Sequence, residues 1–330
     1  MSKVQAIRVH EHGDPHVMQL QEIELEDLAP QKVRVRHTAI GVNFIDTYHR
    51  NGLYPIELPH GIGGEACGIV EAVGEGVSKE WIGKRVAYVV GEPGSYATHR
   101  DVPADRVVEV PEGLDDKVVA ASMLKGMTAW YLLKKVWPFQ KGDDLLVHAA
   151  AGGMGLLLTR WGTHLGFRII GTAGSEEKAA LAQEAGATDV ILYRAQDVSE
   201  AVRELTDGRG VAGVLDGVGK DTFFGSLASL RTRGILVTFG NASGPAPEFS
   251  PGTLGPMGSL YVTRPSLFHF IAAREDLEEA AKDVFEALQN GVIGGEPHLV
   301  EPLSNAQKVH ELLEARQTTG ACVLIPDAAA

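Results

Sequence analysis

Cysteine is almost absent. The chain holds two, Cys67 and Cys322, in 330 residues. That count excludes a disulfide framework and a cysteine-rich zinc site, and it points to a reducing compartment. Basic residues are in deficit: 30 Lys and Arg stand against 43 Asp and Glu, a formal charge of −13. The broad positive field that nucleic acid or an anionic membrane surface requires is therefore missing. No apolar run approaches the ~18–20 residues of a membrane span. The opening MSKVQAIRVHEHG has no apolar core of the kind a signal segment carries. The expectation is a cytoplasmic protein with no nucleic-acid or membrane partner.

What is present is a change of rhythm. The length suggests about two domains at ~150 residues each, and 44% hydrophobic content can fill their cores. The first third reads as short strands broken by Gly and Pro: 33–43, 66–77, 84–90 and 105–111. Residues 115–136 read as a helix. From 144 strands and helices alternate. Strands are expected at 144–150, 167–173, 190–193, 211–219, 234–240 and 259–263. Helices are expected at 154–166, 175–186, 199–208 and 222–230, with Ser175 as an N-cap and Gly186 as a stop. Such alternation predicts an α/β fold, a Rossmann doubly wound parallel sheet of about six strands beside a β-rich domain. Past Arg264 come a long helical stretch at 266–291, irregular in its first turns, a helix at 304–316, and a closing strand at 321–326. That strand needs a sheet partner, so the chain is expected to return to its first domain.

HAAAGGMG (148–155) joins the first strand of the alternation to its helix. It is not a G-x-G-x-x-G, and no Gly-Lys-Ser/Thr follows it, which argues against a P-loop. Alone it is a tight turn. After a strand and before a helix it reads as a pyrophosphate turn, where glycines admit a close approach and the helix N-terminus offers free N–H groups. The end of the second strand selects the cofactor. NAD sites place a carboxylate there; this chain has Thr172, Ala173, Gly174 and Ser175. Gly174 opens space for a 2′-phosphate, Ser175 can hydrogen-bond it, and Lys178 stands one turn on, either as its counter-charge or on a solvated face. Tyr193 is placed to cover the adenosine. Glu176 and Glu177 read as first-turn helix charge. The set favours NADPH.

The sequence resembles the zinc-free quinone oxidoreductases, related to zeta-crystallin, of the medium-chain dehydrogenase/reductase superfamily. The resemblance rests on AIGVNFIDTYHRNGLYP (39–55), GGEACGIVEAVGEGV (63–77), MLKGMTAWYLL (123–133), HAAAGGMG, DGVG (216–219), FGNASG (239–244), GSLYVTRPS (258–266) and LLEAR (312–316). It implies a discontinuous GroES-like catalytic domain, 1–125 and 266–330, and a Rossmann NADPH-binding domain, 126–265. NADPH and substrate are then expected in the cleft between the two. It implies a homodimer, paired through a strand such as SLYVT. Zinc relatives carry Gly-His-Glu where this chain has Gly63-Gly64-Glu65, so the histidine ligand is missing and no metal site is expected. Cys67 reads as core packing, Glu65 as a hydrogen-bonded or ion-paired carboxylate, and His148 as structural.

By the same resemblance, cofactor contacts fall on Asn43, Phe44, Ile45, Asp46, Thr47 and Tyr48, then Tyr131, Gly152, Gly153 and Met154. Gly174, Ser175, Lys178, Tyr193, Phe239, Gly240, Asn241, Ser266 and Arg316 complete the set. Arg316 reads equally as a surface residue capping its helix. Asn43, Tyr48, Tyr54 and Thr128 are the candidate donors to a quinone oxygen, and for the tyrosines an aromatic wall is an equal alternative. The activity implied is NADPH:quinone oxidoreduction. Two alternatives stand beside it: NADPH-dependent reduction of alkenals or enones at C=C, and a non-catalytic crystallin-like or RNA-binding role.

Overall fold

A computed structural model describes residues 3–327. The chain forms two compact units. One holds the residues up to Gly126 and again from Ile271; the other is Met127–Phe270.

Met127–Phe270 contains a six-stranded sheet in the order Asp189–Leu192, Arg168–Ala173, Asp144–Val147, Val211–Asp216, Leu230–Thr238, Tyr261–Thr263. Every neighbouring pair is parallel. Numbered along this unit the order is 3-2-1-4-5-6, the Rossmann arrangement, as the alternation predicted. Parallel strands covered on both faces need continuous apolar runs. Leu145, Leu146 and Val147 meet that need and are fully buried, each contributing roughly 1.5–3 kcal/mol. Helices Gly153–His164, Glu176–Glu184, Val198–Leu205 and Phe223–Ser229 link the strands. Ser175 is the predicted N-cap, its Oγ accepting the Lys178 N–H. Gly186 follows the helix end at φ +105°.

The other unit is mostly antiparallel. Its larger sheet runs Leu299–Pro302, Cys322–Ile325, Lys32–Val42, Glu65–Val73, Arg85–Val89, Val107–Glu109, and His99–Pro103 also pairs with Lys32–Val42. A smaller sheet joins Met18–Glu24, Lys3–Val9 and His60–Gly61. The closing strand pairs antiparallel with Lys32–Val42, Cys322 opposite Val42. Five strands were not among those expected: Lys3–Val9, Met18–Glu24, His60–Gly61, His99–Pro103 and Leu299–Pro302. HRDVP (99–103) has a single aliphatic residue and ends in proline, so its pairing rather than its pattern makes it a strand. The helical stretch past 266 is interrupted. Leu267–Phe270 is one turn, and Arg274–Gln289 follows after a break.

Candidate functional site

The glycine loop closes on itself by sterics and hydrogen bonds. A Cβ on Gly155 would stand 2.2 Å from the Ala149 carbonyl oxygen, so only glycine fits there. The strained residue is Ala149 at φ +51°, a conformation that clusters at ligand clamps. Its carbonyl accepts the Gly152 N–H (2.9 Å) and its N–H donates to Thr172 Oγ1 (3.1 Å). Gly152 is the N-cap of helix Gly153–His164. The first N–H groups of that helix, on Gly153 and Met154, have no partner one turn back. All three residues are half-buried.

A polar network holds the loop from below. His148 lies 3.3 Å from Thr172 Oγ1 through Nδ1 and 2.9 Å from Ser226 Oγ through Nε2. Ser226 Oγ donates to Asp216 Oδ2 (3.2 Å), as does Thr222 Oγ1 (2.7 Å). Oδ1 accepts the Val218 and Gly219 N–H groups at 2.8 and 3.1 Å. Burial lowers the His148 pKa. His148 is thus structural, and it joins the ends of adjacent strands at the topological switch point, where open α/β sheets bind ligands.

At the next strand end, a Cβ on Gly174 would stand 2.6 Å from Tyr193 Oη, so the tyrosine lies over this glycine. Tyr193 is exposed and follows strand Asp189–Leu192. Lys178 is half-buried, whereas Glu176 and Glu177 are exposed in the first helical turn. Phe239, Gly240 and Asn241 lie half-buried after strand Leu230–Thr238. A Cβ on Gly240 would stand 2.2 Å from the Gly217 carbonyl oxygen, so this loop rests on the DGVG turn. Parallel pairing thereby brings the glycine loop, 174–178, Tyr193 and 239–241 to one edge of the sheet. Ser266 is half-buried before Leu267–Phe270. Thr128 is half-buried, and Tyr131 is buried with its ring stacked on Phe270 at 4.5 Å and 12°; burial raises its phenol pKa.

In the discontinuous unit Asn43 precedes helix Phe44–Asn51. Its Nδ2 donates to Glu65 Oε1 (2.6 Å), and its Oδ1 accepts from Lys125 Nζ (2.8 Å). An ammonium only donates, so the amide orientation is fixed. Glu65 is fully buried; its other oxygen accepts the Leu124 N–H (2.6 Å). Burial raises the Glu65 pKa, opposed first by the Lys125 charge. The expectation for Glu65 holds, and Lys125 was missed. It is the single charged residue between Lys117 and Lys134, a cation in an otherwise apolar helical run, which is the signal that could have found it.

Two of the expected cofactor contacts have buried side chains. Asp46 and Thr47 are 0% and 1% exposed and offer no side-chain surface to a ligand. Asp46 Oδ2 instead accepts the Asn43 N–H (2.8 Å) and the Tyr96 hydroxyl (3.0 Å), and Thr47 Oγ1 donates to the Phe44 carbonyl. Phe44 and Ile45 are half-buried. Phe44, Tyr48 and Tyr54 form a ring cluster with centroids 5.6 and 5.3 Å apart. Arg316 is exposed at φ +59°. Its N–H and that of Gln317 donate to Leu313 and Leu312, which places it where glycine commonly ends a helix.

Cys67 is buried in the core with its thiol pKa raised by burial. A Cβ on Gly64 would stand 2.9 Å from the Val90 carbonyl oxygen. Among the described residues, no three His, Cys, Asp or Glu side chains gather in a way that could hold a metal ion.

Two family models match the chain: Alcohol dehydrogenase GroES-like domain over residues 29–112 and Zinc-binding dehydrogenase over 153–287. Quinone oxidoreductase 1 of Escherichia coli (strain K12) is 44% identical over 323 residues, 97% of this chain and 99% of its own length. The 2-haloacrylate reductase of Burkholderia sp is 43% identical over 332 residues, 98% and 100% of the two lengths. The crystal structure of Escherichia coli quinone oxidoreductase complexed with NADPH matches with a TM-score of 0.94 at 44% identity, covering 98% of this chain and 100% of that one. With a Rossmann sheet, a GroES-like sheet and this identity along nearly its whole length, the chain belongs to the quinone oxidoreductase family of the medium-chain dehydrogenase/reductases.

Proposed function

We propose that this chain is a cytoplasmic NADPH:quinone oxidoreductase that works without a metal. The observation that carries the reading is the 44% identity over 97% of the chain to a quinone oxidoreductase, joined to a strand end free of carboxylate. The fit to NADPH is physical. The Gly155 approach leaves a cradle with helical N–H groups for the pyrophosphate, and Gly174, Ser175, Lys178 and Tyr193 suit an adenosine 2′-phosphate. Tyr131, Phe239, Gly240, Asn241, Ser266 and Arg316 complete this set, together with Asn43, Phe44, Ile45 and Tyr48. The residues up to 125 and from 266 serve as catalytic domain, and 126–265 hold the cofactor.

Bound NADPH supplies a hydride, two electrons and one proton, to the acceptor. The chain's own part is orientation and stabilisation of negative charge on the acceptor oxygen. Asn43, Thr128, Tyr48 and Tyr54 are the candidate donors. Metal independence is supported by Gly64, which offers no ligand and whose surroundings crowd a Cβ. A homodimer is supported by the sheet edge: among the described residues Tyr261–Thr263 pairs only with Leu230–Thr238, and Tyr261 is 49% exposed.

The test is turnover of metal-stripped protein with NADPH or NADH against quinone and enone panels. NADPH-dependent quinone reduction is expected; exclusive enone turnover overturns the reading. Similarity to 2-haloacrylate reductase gives weaker support to the second reading, reduction of an activated C=C bond. Lys178→Ala should raise KM for NADPH about 10-fold, the scale of one charged hydrogen bond, and leave KM for NADH nearly unchanged. Equal effects on both would remove the 2′-phosphate assignment.

A further inference from the structure

We propose that the Lys125 ammonium is a catalytic residue, the fixed positive charge that stabilises the oxyanion formed on the acceptor. This rests on the oxidoreductase reading above and names a residue that reading did not contain. Lys125 is half-buried. Its Nζ donates to the Val42 carbonyl (3.0 Å) and to Asn43 Oδ1 (2.8 Å). Two of its three N–H groups are thus spent on holding it in place. Among the described residues the third has no hydrogen-bond partner, which leaves it for a ligand. Asn43 is pinned in turn by Glu65, and Glu65 by the Leu124 backbone. The ammonium therefore cannot collapse onto the carboxylate, because the amide stands between them. It stays a charge with directed donors and an unused N–H.

The placement matches the chemistry. Asn43 adjoins the Phe44–Tyr48–Tyr54 ring cluster, which gives a planar acceptor an apolar wall beside a cation. Lys125 also shares a helix with Thr128, one turn on. Its positive charge works against the burial that raises the pKa of Glu65, Asp46 and Cys322. In the reaction a quinone gains a hydride, which carries two electrons, and becomes a hydroquinone monoanion. A proton from water then completes the hydroquinone. Lys125 keeps its proton throughout and supplies charge and one hydrogen bond to the oxygen that becomes negative. Preorganised donors of this kind typically change kcat by about 10²–10³-fold.

The experiment compares wild type, Lys125→Met and Lys125→Arg across quinones of graded reduction potential, with NADPH affinity measured by fluorescence. Lys125→Met should lower kcat about 100-fold for the weakest acceptors and much less for the strongest, because strong acceptors need less help with charge. The slope of log kcat/KM against reduction potential therefore steepens, NADPH affinity stays within about twofold, and Lys125→Arg recovers most of the rate. A purely structural lysine would lower all acceptors equally. Uniform loss, or unchanged rates, overturns the proposal. If Lys125→Met does not fold, Lys125→Gln reads the same slope with a donor but no charge. Should wild type reduce enones and not quinones, the oxidoreductase reading changes its acceptor. The Lys125 test then runs unchanged on enones, whose enolate oxygen carries the same charge.

Discussion

Among the described residues three carboxylates are fully buried, and the two units satisfy them differently. Asp216, in the parallel unit, receives four donors, all from residues 218–226. Glu65 and Asp46, in the antiparallel unit, receive two each, and most come from far along the chain: Asn43 and Leu124 for Glu65, Tyr96 for Asp46. Asp46 Oδ1 has no partner. Burial raises the pKa of both. A strand-to-helix turn supplies donors from its own backbone, so the carboxylate and its partners arrive together. The antiparallel unit assembles its polar groups only after distant strands pair. It accepts less complete satisfaction, and the groups left under tension are those near the proposed chemistry.

The strongest way to break this comparison is to remove each carboxylate. Asp216→Ala orphans four donors and should cost about 4 kcal/mol in denaturant unfolding. Glu65→Ala orphans two while also relieving a desolvated charge, so about 2 kcal/mol is expected. Equal losses would mean that the number of local donors does not set the cost.

A second test addresses distance along the chain. Arg50 is 1% exposed and donates to the Gly13 carbonyl, to His310 Nδ1 and to Glu314 Oε1. Because Arg only donates, His310 Nδ1 is bare and its Nε2–H faces the Tyr96 oxygen, 3.0 Å away. Burial holds this imidazole neutral, its pKa pushed down to about 3. Arg50→Met should destabilise by about 2 kcal/mol. Amide exchange should speed up in helix Ala306–Glu314 and stay unchanged in the six-stranded sheet. Loosening in both would erase the distinction between the units.

The smallest expected effect is on pH dependence. Burial pushes the Asp46 carboxyl from 3.8 up to about 7. Between about pH 4 and pH 7 the folded state keeps a proton that the unfolded chain releases, so this group's contribution to stability falls as pH rises and levels off above 7. His37 and His310, both lowered to about 3, act in the opposite sense: the unfolded chain binds the protons, so their contribution rises with pH from about 3 to 6.5. Comparing Asp46→Asn with wild type cancels the histidines. The variant should gain in Tm relative to wild type as pH goes from 4.5 to 8. A constant difference would place the Asp46 pKa in the ordinary range.

The sheet of Met127–Phe270 was readable because its strands, caps and turns are local. Leu145–Val147, Ser175 and Gly186 each announce themselves within a few residues. The strands Met18–Glu24 and His99–Pro103 were unreadable because nothing in MQLQEIE or HRDVP demands a strand until a partner is beside it. The same holds for the proposed site. Gly152, Gly174 and Lys178 sit on a pattern with a known spacing. Asp46 and Thr47 lie in a matching segment, but a helix faces them inward, and no linear reading assigns the face.

By itself the sequence determined the six-strand alternation, the glycine turn after its first strand, the carboxylate-free end of its second, and the missing histidine at Gly64, because each depends on neighbours within one turn or strand. Only the tertiary structure decided that Lys125, Asn43 and Glu65 form one cradle, and that Asp46 reaches Arg50 through Tyr96 and His310. Those groups come from separate strands and helices, and a buried charge takes its partner from whatever folding brings within hydrogen-bond reach.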